Sequence, residues 1–154
     1  MLTRPDPPFS FYDPRCPMYT HARFLPGSRL VGSDVRSGIV CDGCALDPCT
    51  IEESVIGIRT RVQAGARISR SVLLGADYYE SDDLAPARGD LPPLGIGRDV
   101  VLDRVIVDKN ARIGDGVQLT NAAGVEHADG DGYYIRNGIV IVPKDGVIRA
   151  GTHV

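Results

Sequence analysis

The chain contains two lysines, Lys109 and Lys144, and both stand in similar hexapeptides, "VDKNAR" (107–112) and "VPKDGV" (142–147). Each follows a valine by two residues, and the other fifteen cationic side chains are all arginine. Lysine carries a compact ammonium charge that suits phosphate and other small anions. Two ammonium groups placed side by side repel each other, whereas an anion held between them attracts both. The chemistry implied is therefore binding rather than bond breaking. Other residues offer less. Cys41, Cys44 and Cys49 contain one C-x2-C pair, which is half of a zinc site. No histidine is near enough in sequence to complete it, since His21, His127 and His153 are scattered. The four cysteines are expected to be small buried thiols, neither metal ligands nor disulfides. His127, in "VEHADGD", is the one candidate for a general base, and its surroundings are acidic.

Whether the lysines meet depends on the elements that carry them. Aliphatic residues recur every six positions at Ile56, Val62, Ile68 and Leu74, at Val40 and Leu46, at Ile96 and Leu102, and at Val107, Ile113 and Leu119. They recur again at Val142, Ile148 and Val154. Four residues after many of them stands a small residue: Cys44, Thr50, Thr60, Ala66, Ala111, Gly146 or Thr152. Six is neither the helical period nor a plain strand alternation. It is the period of a hexapeptide parallel β-helix, in which three hexads form one triangular coil and coils stack at the strand spacing of about 4.8 Å. The aliphatic residue points inward and the small one turns the corner. The register slips to five at Leu46–Ile51–Ile56 and at Leu102–Val107, as shortened corners would require. A small β-sandwich also accommodates short β-rich runs, but it does not predict this register.

Two segments interrupt the period: 77–94, acidic and proline-rich, and 120–138, glycine-rich with two tyrosines. Both read as loops expelled from a coil, where function often sits. Residues 1–29 are a proline-rich lead-in, and residues 30–154 form the β-helix. With the second loop set aside, Lys144 falls one coil after Lys109. Both then lie on one face of the triangle, with backbones about 5 Å apart. A bound anion would hold them there. The alternative is an ordinary solvated face on which Asp108 and Asp145 neutralise their neighbours.

The 154 residues suit one domain. A net charge of −3 argues against general nucleic-acid binding. No apolar run approaches the roughly 20 residues of a membrane span, and the N-terminus has no apolar signal core. The expected location is cytoplasmic, or the stroma of a plastid if a transit peptide has been removed. The chain ends in "GTHV" with a hexad just begun, so that end of the stack needs cover.

Several longer stretches point further: "FSFYDPRCPMYTHARFLP", "SVLLGADYYE", "LGIG", "VIVDKNARIGDGVQLTN" and "DGYYIRNGIVIVPKDGVI". In this order they resemble the C-terminal part of ADP-glucose pyrophosphorylase (glucose-1-phosphate adenylyltransferase), in the cyanobacterial and plant style, over about residues 9–154. The resemblance implies an all-β, left-handed parallel β-helix. It also implies a parent enzyme that makes ADP-glucose and pyrophosphate from ATP and glucose 1-phosphate for glycogen and starch synthesis. That enzyme needs magnesium, is usually a tetramer and answers to sugar-phosphate effectors. Its chemistry belongs to a nucleotidyltransferase domain with a glycine-rich phosphate loop and metal-binding aspartates. Neither a GGxGxRL-like stretch nor a doubly wound pattern occurs here. The chain alone is expected to be catalytically inactive, with ATP and magnesium needed only by that other domain.

By the same resemblance, Lys109 and Lys144 match the family's effector-binding lysines, for 3-phosphoglycerate or a similar phosphate. Arg23 matches a basic residue of the anion sites between the two domains. His21 is a weaker match, because the family often has glutamine and proline where this chain has His21 and Ala22. Arg112 and Arg136 are further candidates for the pocket. Three roles compete: a regulatory and oligomerisation module, a hexapeptide acyltransferase using His127 with acetyl-coenzyme A, and a purely structural scaffold.

Overall fold

The computed structural model describes residues 3–81 and 89–154, so residues 82–88 of the first interruption lie outside the described residues. Residues 3–28 carry no strand, and the first strand begins at Arg29. From there the chain winds around three parallel faces. Face A holds β1 (Arg29–Leu30), β4 (Ala45–Leu46), β7 (Arg61–Val62), β10 (Gly95–Ile96), β13 (Arg112–Ile113) and β18 (Val147–Ile148). Face B holds β2 (Asp34–Arg36), β5 (Thr50–Glu52), β8 (Arg67–Ser69), β11 (Val101–Asp103) and β14 (Gln118–Leu119). Face C holds β3 (Ile39–Val40), β6 (Val55–Ile56), β9 (Val72–Leu73), β12 (Val105–Val107) and β17 (Ile139–Val142). Among the described residues no strand exceeds four residues, because one inward side chain per face fills the narrow triangle.

The inward residues stack on their equivalents. Leu46, Val62, Ile96 and Ile113 align on face A, Ile51, Ile68, Leu102 and Leu119 on face B, and Ile56, Leu73, Val107 and Val142 on face C. All twelve are buried in one continuous core. Each such side chain contributes about 1.5–3 kcal/mol by leaving water. The outward register of face C is also apolar: Ile39, Val55, Val72, Ile106, Ile141 and Tyr134 lie in one row across neighbouring strands.

The coils are tighter than three full hexads. Leu30 pairs with Leu46 and Leu46 with Val62, sixteen residues apart each time. In the first two coils one residue is lost between faces A and B, at Leu30–Val35 and Leu46–Ile51. Another is lost at the corner between faces B and C, where Val35–Val40, Ile51–Ile56, Ile68–Leu73 and Leu102–Val107 each take five residues. The inward residue of β9 is therefore Leu73, 2% exposed, and not the expected Leu74, which is 42% exposed. This corner is made by a residue with left-handed backbone in each coil: Ser37, Glu53, Arg70 and Arg104. Just after two of those corners, Ser54 and Ser71 lie buried and link successive coils. The Ser71 N–H donates to Ser54 Oγ at 3.0 Å, and the Val105 N–H donates to Ser71 Oγ at 3.0 Å. Thr50, expected at a corner, instead opens β5 with its side chain exposed.

The second interruption is no irregular loop. It forms an antiparallel hairpin of β15 (His127–Asp129) and β16 (Tyr134–Arg136), which pairs with β17 and extends face C. The last residues of the chain continue the winding as a further parallel rung beside β14, with the Val154 N–H donating to Gln118 O at 2.8 Å and the Gln118 N–H to Thr152 O at 2.9 Å. No helix of the described residues is long and apolar enough to cross a membrane.

Candidate anion-binding site

Both lysines sit just beyond face C, where the chain turns toward face A. Strands β12 and β17 pair Val107 with Val142, so the residues two positions later fall on adjacent rungs. The expected neighbourhood of the lysines is realised, but at a corner of the triangle and not on a flat face. The turn is made by Asn110 and Asp145, each with positive φ, and the Asp145 N–H donates to Lys109 O at 2.9 Å.

One rung earlier the chain leaves the coil into the first interruption. Gly75 stands in register with Lys109, since Leu73 pairs with Val107. Its φ of +90° and the closeness of the Ile58 carbonyl leave no room for a side chain. The exit is bracketed by the neighbouring coils. The Ala76 N–H donates to Ile58 O at 2.9 Å, and the Asn110 N–H donates to Gly75 O at 3.1 Å. The Asp77 N–H donates to Asn110 Oδ1 at 2.8 Å, and Asn110 Nδ2 donates back to Asp77 Oδ2 at 3.2 Å. These contacts aim the Asp77 carboxylate at the lysine corner.

There one carboxylate takes both ammonium groups. Lys109 Nζ donates to Asp77 Oδ1 at 2.8 Å, and Lys144 Nζ lies 3.1 Å from Asp77 Oδ2. Hydrogen bonds from Lys109 and Lys144 hold the Asp77 carboxyl far below the usual carboxylate range. The same bond and charge of Asp77 raise the Lys144 pKa, with smaller attractions from Asp145 and Asp108. Asp108 and Asp145, which the alternative of a solvated face pairs with the lysines, are therefore secondary. Asp108 Oδ1 instead accepts the Lys109 backbone N–H at 2.7 Å. The sequence reading missed Asp77 and Asn110. Asp77 lies inside an interruption of the period, where register gives no position.

The other candidates lie apart from this carboxylate. Arg112, on β13, forms a mostly buried ion pair with Glu80 at 2.7 Å and donates to Pro92 O at 2.8 Å. Burial disfavours its charge, but the Glu80 carboxylate outweighs that and raises its pKa. Leu94 N–H donates to the other Glu80 oxygen at 2.9 Å. Arg112 thus pins both ends of the first interruption. Arg136 pairs with Asp129 at 2.6 Å within the hairpin and lies over the Tyr134 ring. Arg23 and His21 are exposed, and Arg23 donates to the His21 carbonyl at 3.5 Å. His127 is exposed on β15, paired with Arg136 in the hairpin register.

Cys44 and Cys49 are buried, Cys41 is half-buried and Cys16 exposed, and all four are free thiols. Among the described residues, no group of three or more His, Cys, Asp or Glu side chains could hold a metal ion. What the lysine corner presents is two ammonium groups converging on one carboxylate. The model of the GLGC left-handed parallel beta-helix domain family matches residues 23–153, which include all three faces and the lysine corner.

Proposed function

Since the chain belongs to the GLGC left-handed parallel beta-helix domain family, the C-terminal β-helix of ADP-glucose pyrophosphorylases, we propose that it is a regulatory module binding a phosphorylated metabolite of the 3-phosphoglycerate type. The supporting observation is the meeting of Lys109 and Lys144 on one carboxylate. An anion of similar reach can take the same two ammonium groups, and a phosphate brings more charge to them. Arg23 and His21, ahead of the first strand, are candidates to complete the pocket once a nucleotidyltransferase domain faces it. That domain carries out the adenylyl transfer and needs the ATP and magnesium. The apolar outward row of face C is a surface suited to contact with that domain or with other copies in a homo-oligomer. The setting is the cytoplasm, or a plastid stroma.

Titration of 3-phosphoglycerate by calorimetry, with and without the nucleotidyltransferase domain added, tests this reading. Lys109→Ala and Lys144→Ala should each weaken binding by roughly tenfold, as loss of one charge-assisted hydrogen bond requires. The double variant should add only modestly, because the two groups share one guest. An unchanged affinity in the double variant would sink the shared site.

A further inference from the structure

The guest position between the lysines is already filled by Asp77, and we propose that Asp77 is a built-in competitor which an incoming phosphate must displace. The inference rests on the reading of Lys109 and Lys144 as the anion site. It goes beyond that reading by assigning the site a resting occupant and a selection rule.

The geometry is that of a ligand. Each Asp77 oxygen faces a different ammonium group, at 2.8 and 3.1 Å. The carboxylate stays there because its backbone is tethered. The Asp77 N–H is fixed by Asn110 Oδ1, the Gly75 carbonyl by the Asn110 N–H, and the Ala76 carbonyl by Arg59 at 3.2 Å. A tethered group acts at a high effective concentration, so it competes well even when its own bonds are weak. These bonds are weak: the side chains of Asp77, Lys109 and Lys144 are 39%, 33% and 53% exposed, and ion pairs this open to water contribute little. The occupant is therefore present at rest and easy to displace.

A rule of selection follows. A singly charged carboxylate from solution offers the lysines no more than the one it must displace, and it lacks the tether. A phosphate monoester carries up to two charges and three terminal oxygens. It can outbid Asp77 where acetate or chloride cannot. The lock thus discriminates by charge through a repulsive element rather than an added contact.

The chain's two lysines provide a clean probe. With 13Cε-labelled lysine the protein should give two ε-methylene signals, one from each ammonium arm, and both can be followed while inorganic phosphate is added to the full chain. Asp77→Asn keeps the size and the acceptor for Asn110 while removing the charge, and the amide spectrum of the variant reports that it folds. The midpoint for phosphate should fall by about tenfold in Asp77→Asn, the gain expected when a largely occupied site is freed. The preference for phosphate over acetate should narrow in the same variant. Equal phosphate midpoints in the two proteins overturn the lock, and leave the anion site standing if Lys109→Ala still weakens binding. Weaker binding in Asp77→Asn also overturns the lock, because Asp77 would then support the site and not occupy it. Lysine signals that respond to phosphate in neither protein overturn both the lock and the site reading.

Discussion

Asn110 meets two demands at once. Its φ of 61° turns the chain between faces C and A, and its side chain both accepts from and donates to Asp77. Asparagine tolerates left-handed backbone better than most residues, and its amide supplies both hydrogen-bonding roles. Asn110→Ala should lower stability by about 2 kcal/mol, part from the strained backbone and part from the Asp77 N–H left unpaired. Asn110→Gly should restore the backbone share and not the rest. Urea unfolding of the two variants separates the shares, and equal losses would show that the left-handed backbone costs alanine nothing here. The sequence already held the lysines' meeting, because they share a register. It did not reveal their partner. Asp108 and Asp145 adjoin the lysines in sequence, whereas Asp77 reaches them only through the fold.

At the scale of the strands, the core was legible because one aliphatic residue per face recurs with little variation. The corners were less legible. Glycine or asparagine usually marks a left-handed turn, yet the corner from face B to face C uses Ser37, Glu53, Arg70 and Arg104. Nothing in those residue types announces a turn, so the register between Ile68 and Leu73 was read one residue too long. Their backbones are held from the preceding coil: the Glu53 N–H donates to Arg36 O and the Arg70 N–H to Glu52 O. Buried Ser71 joins three coils at this corner: its N–H donates to Ser54 Oγ, and its hydroxyl accepts from Val105 N–H while donating to Ser69 O of its own coil at 2.7 Å. Ser71→Ala leaves the Val105 N–H unpaired in the interior, while Ser69 O keeps the Arg104 N–H, and should cost about 1–3 kcal/mol. A loss below a few tenths in thermal or urea unfolding would mean that water or a shifted neighbour replaces the hydroxyl. The hairpin of β15 and β16 escaped the sequence reading for a related reason. Its strands alternate weakly and face a rim, so they carry no six-residue signal.

For the whole molecule, acid should be destabilising. Asp77 is held below the usual carboxylate range by the two lysines. Burial pushes Asp103 up, but hydrogen bonds from Arg70 and Ser69, with the Arg70 charge, outweigh it and leave the group lowered. A carboxyl lowered in the folded state takes its proton first in the unfolded state. Its contribution is complete above about pH 4 and is lost as the pH falls below that value toward the folded one. The urea midpoint should therefore drop between pH 7 and pH 3, and Asp103→Asn should narrow the drop. A midpoint that does not change over that range, or a drop that Asp103→Asn leaves unaltered, would contradict the assignment.

The hairpin has one more consequence. Lys109 and Lys144 are thirty-five residues apart along the chain, yet the pairing of Val105–Val107 with Val140–Val142 sets their separation in space. The excursion between them leaves one rung and returns to the next, so residues gained or lost in it do not alter the gap between the two charges. An added residue between Val142 and Lys144 would alter it at once. The site is thus insulated from length variation in the segment that most readily varies, and exposed to it only over the two residues that follow each valine.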